Sequence, residues 1–174
     1  QIAQLLDVLE SKLMHMLSLR ATEINSGLSD LSSATPLVEE SNKLINKIDT
    51  LLQYQKEELQ FHEDKAIKYE ITQLKHRLYV NRLIQLHVNQ MILLPDGTYF
   101  TLTVQEKEAL NHLVNAFKQF GENRTYTPDR KALSLLKMSV KHLTEFDDNQ
   151  MRSHYIYEIL MINRLLMDHP NRVK

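Results

Sequence analysis

The chain has 174 residues, a formal net charge of −1 and no cysteine. Its 43% hydrophobic and 25% charged residues are typical of a globular domain and exclude an intrinsically disordered chain. The near-zero charge gives no general attraction to nucleic acid or to anionic membranes, and the lack of cysteine excludes disulfides, thiolate metal sites and thiol catalysis.

The first segment is predicted to be a helix from Ile2 to about Asn25. Its apolar residues recur at alternating spacings of four and three, which is the seam of a helix that packs along another helix. These seam residues are Ile2, Leu6, Leu9, Leu13 and Met16. Additional apolar residues beside the seam indicate neighbours on more than one side, as in a bundle.

The second segment, residues 37–94, contains neither proline nor glycine. Thr35-Pro36 predicts its helical start, because threonine caps a helix and proline suits the first position. The apolar register is lost between Gln60 and Lys65. Two interpretations remain open: one continuous helix of roughly 85 Å, which is slightly favoured, or a turn near His62 to Asp64 that makes a three-helix bundle.

A β-hairpin is predicted for residues 91–103. Pro95-Asp96-Gly97 stands between two apolar runs, and proline, aspartate and glycine each favour a turn by a different mechanism. Both faces of this hairpin carry large apolar side chains, whereas a hairpin that lies on a protein usually has one polar face. We therefore expect its tip to bind a partner. The candidate binding residues are Leu93, Leu94, Pro95, Asp96, Tyr99 and Phe100.

The remaining residues predict three more helices. Thr103 and Glu106 form a capping box that opens the first of them, which is expected to end near Phe120-Gly121. Thr127-Pro128 predicts the next start, and the last helix is expected to stop before Pro170. The predicted architecture is mainly α. It comprises an elongated antiparallel helical hairpin or bundle over residues 1–90, the β-hairpin over residues 91–103, and a C-terminal three-helix bundle over residues 104–170, as one continuous structural unit.

Motifs for catalysis or for metal binding are weak in this sequence. Glu108 and His112 share a helix face and are one pair that a metal could use, but a surface ion pair is the simpler interpretation. A mildly basic strip, which a nucleic-acid-binding protein would use for phosphate contacts, is preceded by acidic residues and is better explained as a solvated face. The strip comprises Lys75, His76, Arg77, Arg82 and His87. No catalytic residue, metal or cofactor is predicted.

These observations favour a non-catalytic protein–protein interaction module, a helical scaffold that is part of a larger protein because the chain begins at Gln1. The composition suggests a bacterial source, and a secreted effector is one specific form of this hypothesis. The expected partner is another protein, with a homodimer through the long helices as one form, and neither nucleic acid binding nor membrane insertion is expected. The alternative is an extracytoplasmic helical sensor domain of a bacterial membrane receptor. A metal-dependent helical enzyme is a third interpretation.

Overall fold

A computed structural model describes residues 1–27, 35–61, 64–94, 101–141 and 150–174. These ranges contain helices and no strand, so the prediction of a mainly α protein is confirmed. None of the described helices is long and apolar enough to cross a membrane. The helices are α1 (Ile2–Asn25), α2 (Thr35–Leu59), α3 (Lys65–Ile92), α4 (Val104–Asn123), α5 (Arg130–Lys141) and α6 (Gln150–Met167).

Helix α1 is the centre of the molecule and contacts α2, α3 and α4. Its predicted seam from Ile2 to Met16 is buried throughout. Helix α1 also buries polar side chains, among them Glu10, Ser18 and Arg20. Charged groups are seldom fully buried without partners, so Glu10 and Arg20 indicate where the core holds a specific polar arrangement.

The favoured interpretation of residues 37–94 as one continuous helix is wrong. Helix α2 ends at Leu59, α3 begins at Lys65, and the two helices pack against each other. Asp64 caps α3 by accepting hydrogen bonds from the backbone N–H groups of Ala66 and Ile67 at 3.0 and 3.4 Å. An aspartate cap therefore starts the new helix where no glycine or proline marks a turn. The first three helices, α1, α2 and α3, therefore pack together as in the alternative interpretation, a three-helix bundle.

The predicted β-hairpin is not seen. Met91 and Ile92 are the last residues of α3, and Leu93 is its C-cap. Met91 extends the buried stripe of Ile84 and Val88 at helical spacing, so packing on α1 keeps this apolar run helical despite its local preference for a strand. Thr101 and Leu102 are described and are not a strand either. Residues 95–100, which include the predicted turn, lie outside the described residues.

The last three helices pack on the first three as well as on each other. Helix α4 begins with the predicted capping box: the Thr103 hydroxyl accepts from the Glu106 N–H, and the Glu106 carboxylate accepts from the Thr103 N–H. Helix α4 lies along α1 and α6 lies along α3, while α5 contacts both α4 and α6. The cap of α5 is Asp129 rather than Thr127. The buried apolar residues of all six helices form one continuous core.

Candidate functional site

The predicted binding residues do not form a common surface where the structure describes them. Leu93 is 74% exposed, whereas the neighbouring Leu94 is 7% exposed and belongs to the core. Pro95, Asp96, Tyr99 and Phe100 lie outside the described residues. The prediction for these four residues stays a prediction, but Leu94 is a core residue.

Arg20 explains why Leu94 faces inward. This fully buried side chain donates from Nε to the carbonyl oxygen of Met91 and from Nη2 to that of Leu94, each at 3.0 Å, and it pairs with Glu23 at 3.3 Å. The last carbonyl groups of a helix lack partners within the helix and carry the negative end of its dipole. The guanidinium of α1 therefore holds the C-terminal end of α3 in place.

A second cluster joins α1 to α3 around the carboxylate of Glu10, which is 1% exposed. Arg77 donates to both of its oxygens, from Nε at 2.8 Å and from Nη2 at 2.7 Å. Asn81 donates at 2.9 Å, and Arg124 and Asn171 each donate at 3.0 Å. Burial raises the pKa of the Glu10 carboxyl, but Arg77 and the other donors outweigh this effect and lower it.

His169 completes the Glu10 cluster as a neutral imidazole. Its Nδ1 accepts from the Asn171 backbone N–H at 3.0 Å, so the proton is on Nε2, which lies 2.7 Å from the side-chain oxygen of Asn81. Burial, together with the nearby charges of Arg77 and Arg124, lowers the pKa of His169 to about 4 against the attraction of Glu10. The segment after α6 is thereby fixed to α1 and α3.

The Glu10 cluster is an electrically balanced structural contact. The carboxylates of Glu10 and Asp7 meet the guanidinium groups of Arg77 and Arg124, with His169 neutral between them. Every oxygen of Glu10 accepts more than one hydrogen bond. A carboxylate with its lone pairs occupied and its pKa lowered is a poor general base, so this cluster holds helices together rather than carrying out acid–base chemistry.

The basic strip seen in the sequence does not form a free cationic surface. The Arg77 side chain is buried against Glu10, Arg82 pairs with Asp49 at 3.5 Å, and the Nδ1 of His87 pairs with Glu158. Of the strip, Lys75 and His76 have no such pair among the described residues. The positive charges that the sequence groups together are therefore mostly neutralised by carboxylates from other helices.

The predicted Glu108 and His112 pair lies exposed on α4. Within the described ranges, no group of three or more histidine, cysteine, aspartate or glutamate side chains is arranged to hold a metal ion. A second buried pair, Glu106 with Arg152, ties the start of α4 to α6. Hydrogen bonds from Thr103 and Arg152 lower the pKa of Glu106 against the effect of burial, so this carboxylate too has a structural role.

The outward face of α3 is the most distinctive surface of the described chain. Side chains on this face recur at strictly alternating spacings of three and four residues, the pattern of a helix that packs along a second helix. All of them are exposed except Leu83, which is half-buried and does not pack on the core. We call this row the outer seam. It consists of Tyr69, Thr72, His76, Tyr79, Leu83, Leu86, Gln90 and Leu93.

The outer seam is mostly apolar and runs between α2 and α6. Leu86 and Leu93 are 57% and 74% exposed, and Tyr69 and Tyr79 are also exposed. The Thr72 hydroxyl bonds to the carbonyl of Lys68 in its own helix. A single exposed leucine is ordinary, but a helix face that aligns several leucine and tyrosine side chains is typical of an interaction surface. The sequence analysis did not single out this outer row.

Similar proteins come from staphylococci. The chain is 36% identical over 167 residues to a UPF0421 protein of Staphylococcus haemolyticus, which covers 95% of this chain and 51% of that protein. A UPF0421 protein of Staphylococcus saprophyticus is 34% identical over 97% of this chain and 52% of its own length. A UPF0421 protein of Staphylococcus aureus is 35% identical over 71% of this chain and 38% of its own length. No family model and no solved structure matches the chain. The chain is thus similar to UPF0421 proteins over nearly all of its residues and spans about half the length of the curated relatives it matches.

Proposed function

We propose that this chain is a non-catalytic interaction domain of a longer bacterial protein of the UPF0421 kind. The observation that carries the proposal is the outer seam, a mostly apolar row on α3 that the described residues leave largely uncovered. Helices bury such rows against another helix because removing apolar surface from water is favourable, by about 25 cal/mol per Å². The partner is therefore a helix of another protein molecule or of the rest of the longer protein.

Two further features support the proposal. The buried carboxylate of Glu10 accepts hydrogen bonds from Arg77 and Asn81 of α3, and that of Glu106 accepts from Arg152 of α6 and from the cap of its own helix, which suits structural contacts. The relatives are about twice as long as the match, so such a domain has other parts of the same protein with which to assemble. A helical domain held rigid by buried charges is a suitable support for a binding face.

Cysteine accessibility tests this proposal in the longer protein. Because the chain contains no cysteine, a single introduced thiol reports on one position. Leu86→Cys places the thiol on the outer seam, and Met138→Cys places it on α5 at a side chain with the same exposure, 57%. In cells that express the longer protein, we expect the thiol at 86 to react with a maleimide more slowly than the thiol at 138, with modification followed peptide by peptide by mass spectrometry. Equal rates would show that nothing covers the outer seam and would refute the proposal.

A further inference from the structure

The segment after α6, residues 168–174, lies across α1, α3 and the end of α4 and is held there mainly by polar contacts. We call it the strap. Its buried side chain is His169, which is 4% exposed, whereas Pro170 is exposed and Val173 is 56% exposed. The Val173 N–H donates to the carbonyl oxygen of Arg124 at 2.9 Å. Because the strap buries little apolar surface, its attachment depends on hydrogen bonds and on the fit of one imidazole ring.

We propose that the strap is an acid-sensitive cover: protonation of His169 releases residues 168–174 from α1 and α3 while the helices stay packed. Three features of the molecule support this inference. They are the hydrogen bonds of the imidazole ring, the charges that face the ring, and the contacts that the helices keep when the strap leaves.

Both nitrogens of the His169 ring have partners that require the neutral form. Nδ1 accepts from the Asn171 backbone N–H at 3.0 Å, and Nε2 donates to the side-chain oxygen of Asn81 at 2.7 Å. A protonated imidazole has two N–H donors and no acceptor. Protonation therefore replaces the hydrogen bond to Asn171 by a contact between two donors, inside the strap itself.

The charges around the ring also oppose protonation while the strap is closed. Burial, together with Arg77, Arg124 and His76, holds the pKa of His169 at about 4 against the attraction of Glu10, which lies 3.4 Å from Nε2. In a released strap the ring is in water, where its pKa returns to about 6.5. The charged and titratable groups around the ring are Asp7 and Glu10 on α1, His76 and Arg77 on α3, Arg124 after α4, and Arg172 in the strap.

The helices keep their own contacts when the strap leaves. Without the bond from Asn171, the carboxylate of Glu10 still accepts two hydrogen bonds from Arg77, one from Asn81 and one from Arg124. These donors lie on α3 and at the end of α4, so the links of both helices to α1 do not pass through the strap. Release of the strap is therefore a local opening and does not require the bundle to unfold.

An open strap uncovers aromatic side chains at the end of α4. The His169 ring lies edge-on to Phe120 with the ring centres 5.0 Å apart. The guanidinium of Arg172 lies 6.0 Å from the ring centre of Tyr126 and donates to the carbonyl oxygen of the same residue at 2.8 Å. These contacts end together when the strap leaves, so acid would expose parts of both aromatic rings.

The size of the pH effect follows from the two proton affinities of His169. The open strap takes up a proton near pH 6.5 and the closed strap only near pH 4, so falling pH favours the open form between these values. From pH 7 to pH 5 the equilibrium constant for opening should rise about 20-fold. Above about pH 7.5 the ring is neutral in both forms and no further change is expected.

Hydrogen exchange at individual backbone amides, followed by NMR, measures this opening. The reporters are the amides of Asn171 and Val173, whose hydrogen bonds break when the strap leaves, and the reference is the amide of Val88 in the buried stripe of α3. Each rate is divided by the rate of an unfolded peptide at the same pH. We expect the reporters to show the 20-fold rise from pH 7 to pH 5, and to exchange much faster than Val88 at both pH values.

Two histidine variants identify the group that responds. His169→Gln keeps an acceptor for the Asn171 N–H and a donor for Asn81 but does not titrate, so the rise at the reporters should disappear. His112→Gln removes an exposed histidine of α4 and should keep the rise. The proposal is overturned if the wild-type reporters show no rise at pH 5, if they exchange as slowly as Val88, or if His169→Gln shows the same rise. The first two results come from the wild-type chain and do not depend on the folding of a variant.

Discussion

Replacing Glu10 by glutamine removes the charge at the centre of the Glu10 cluster and keeps the shape of the side chain. Arg77, which is buried, and Arg124, which is partly buried, then have only Asp7 to balance them, and the new amide group points a donor at the donors of Arg77. Removing one partner of a buried ion pair costs about 3 to 5 kcal/mol. Since a domain of this kind is stable by about 5 to 15 kcal/mol, Glu10→Gln should lose a large part of its free energy of unfolding.

Urea unfolding followed by circular dichroism measures this loss, and a surface pair supplies the control. Glu40 pairs with Lys12 at 2.8 Å, but the Glu40 side chain is exposed and that of Lys12 is only partly buried, so Glu40→Gln should change the unfolding midpoint little. Combining Glu10→Gln with Arg77→Gln should cost less than the two single changes added together, because each removes the same contact. Equal midpoints for Glu10→Gln and Glu40→Gln would refute the account of the Glu10 cluster.

Two further changes test the packing around α1. The unfolded chain takes up a proton at His169 near pH 6.5 and the folded chain only near pH 4, so the free energy of unfolding should fall by about 2 kcal/mol between pH 7 and pH 5. His169→Gln should remove that part of the dependence of stability on pH. An unchanged pH dependence in this variant would contradict the neutral imidazole. Gly121→Ala brings a Cβ to 2.9 Å from the Cβ of Met14, which forces α4 away from α1. Although alanine favours helices, we expect thermal unfolding to show a net loss of about 1 to 2 kcal/mol in the free energy of unfolding. A variant more stable than the original chain would show that α1 and α4 can separate without cost.

Local patterns in the sequence were sufficient for most of the helices. The alternating spacing from Ile2 to Met16, the capping box of Thr103 and Glu106, and the start at Thr35 each depend on residues within a few positions of one another. The turn before α3 was harder, because its signal is a single aspartate, Asp64, at a place where the apolar register is lost. Helix propensity alone argued against that turn.

Contacts between distant residues could not be predicted in the same way. Arg77 and His169 reach Glu10 from α3 and from the segment after α6, and no short-range pattern specifies those partners. A partial signal did exist: Glu10 follows Leu9 on the apolar side of α1, and Arg20 lies within the last buried turns of the same helix. A charged residue on an otherwise buried face indicates a partner somewhere, even though the sequence does not say where.

Helix α3 shows why burial was needed to recognise the outer seam. The helix carries two apolar rows, an inner one that includes Leu78 and Ile84 and the outer one that includes Tyr79 and Leu86. Read along the sequence, the two rows merge into a single broad apolar pattern. Contacts with α1 separate them, because the Glu10 cluster and Arg20 hold the inner row against α1 at two places along α3. A helix fixed on one side in this way presents the outer row in a defined orientation, which lowers the entropic cost of binding a second helix.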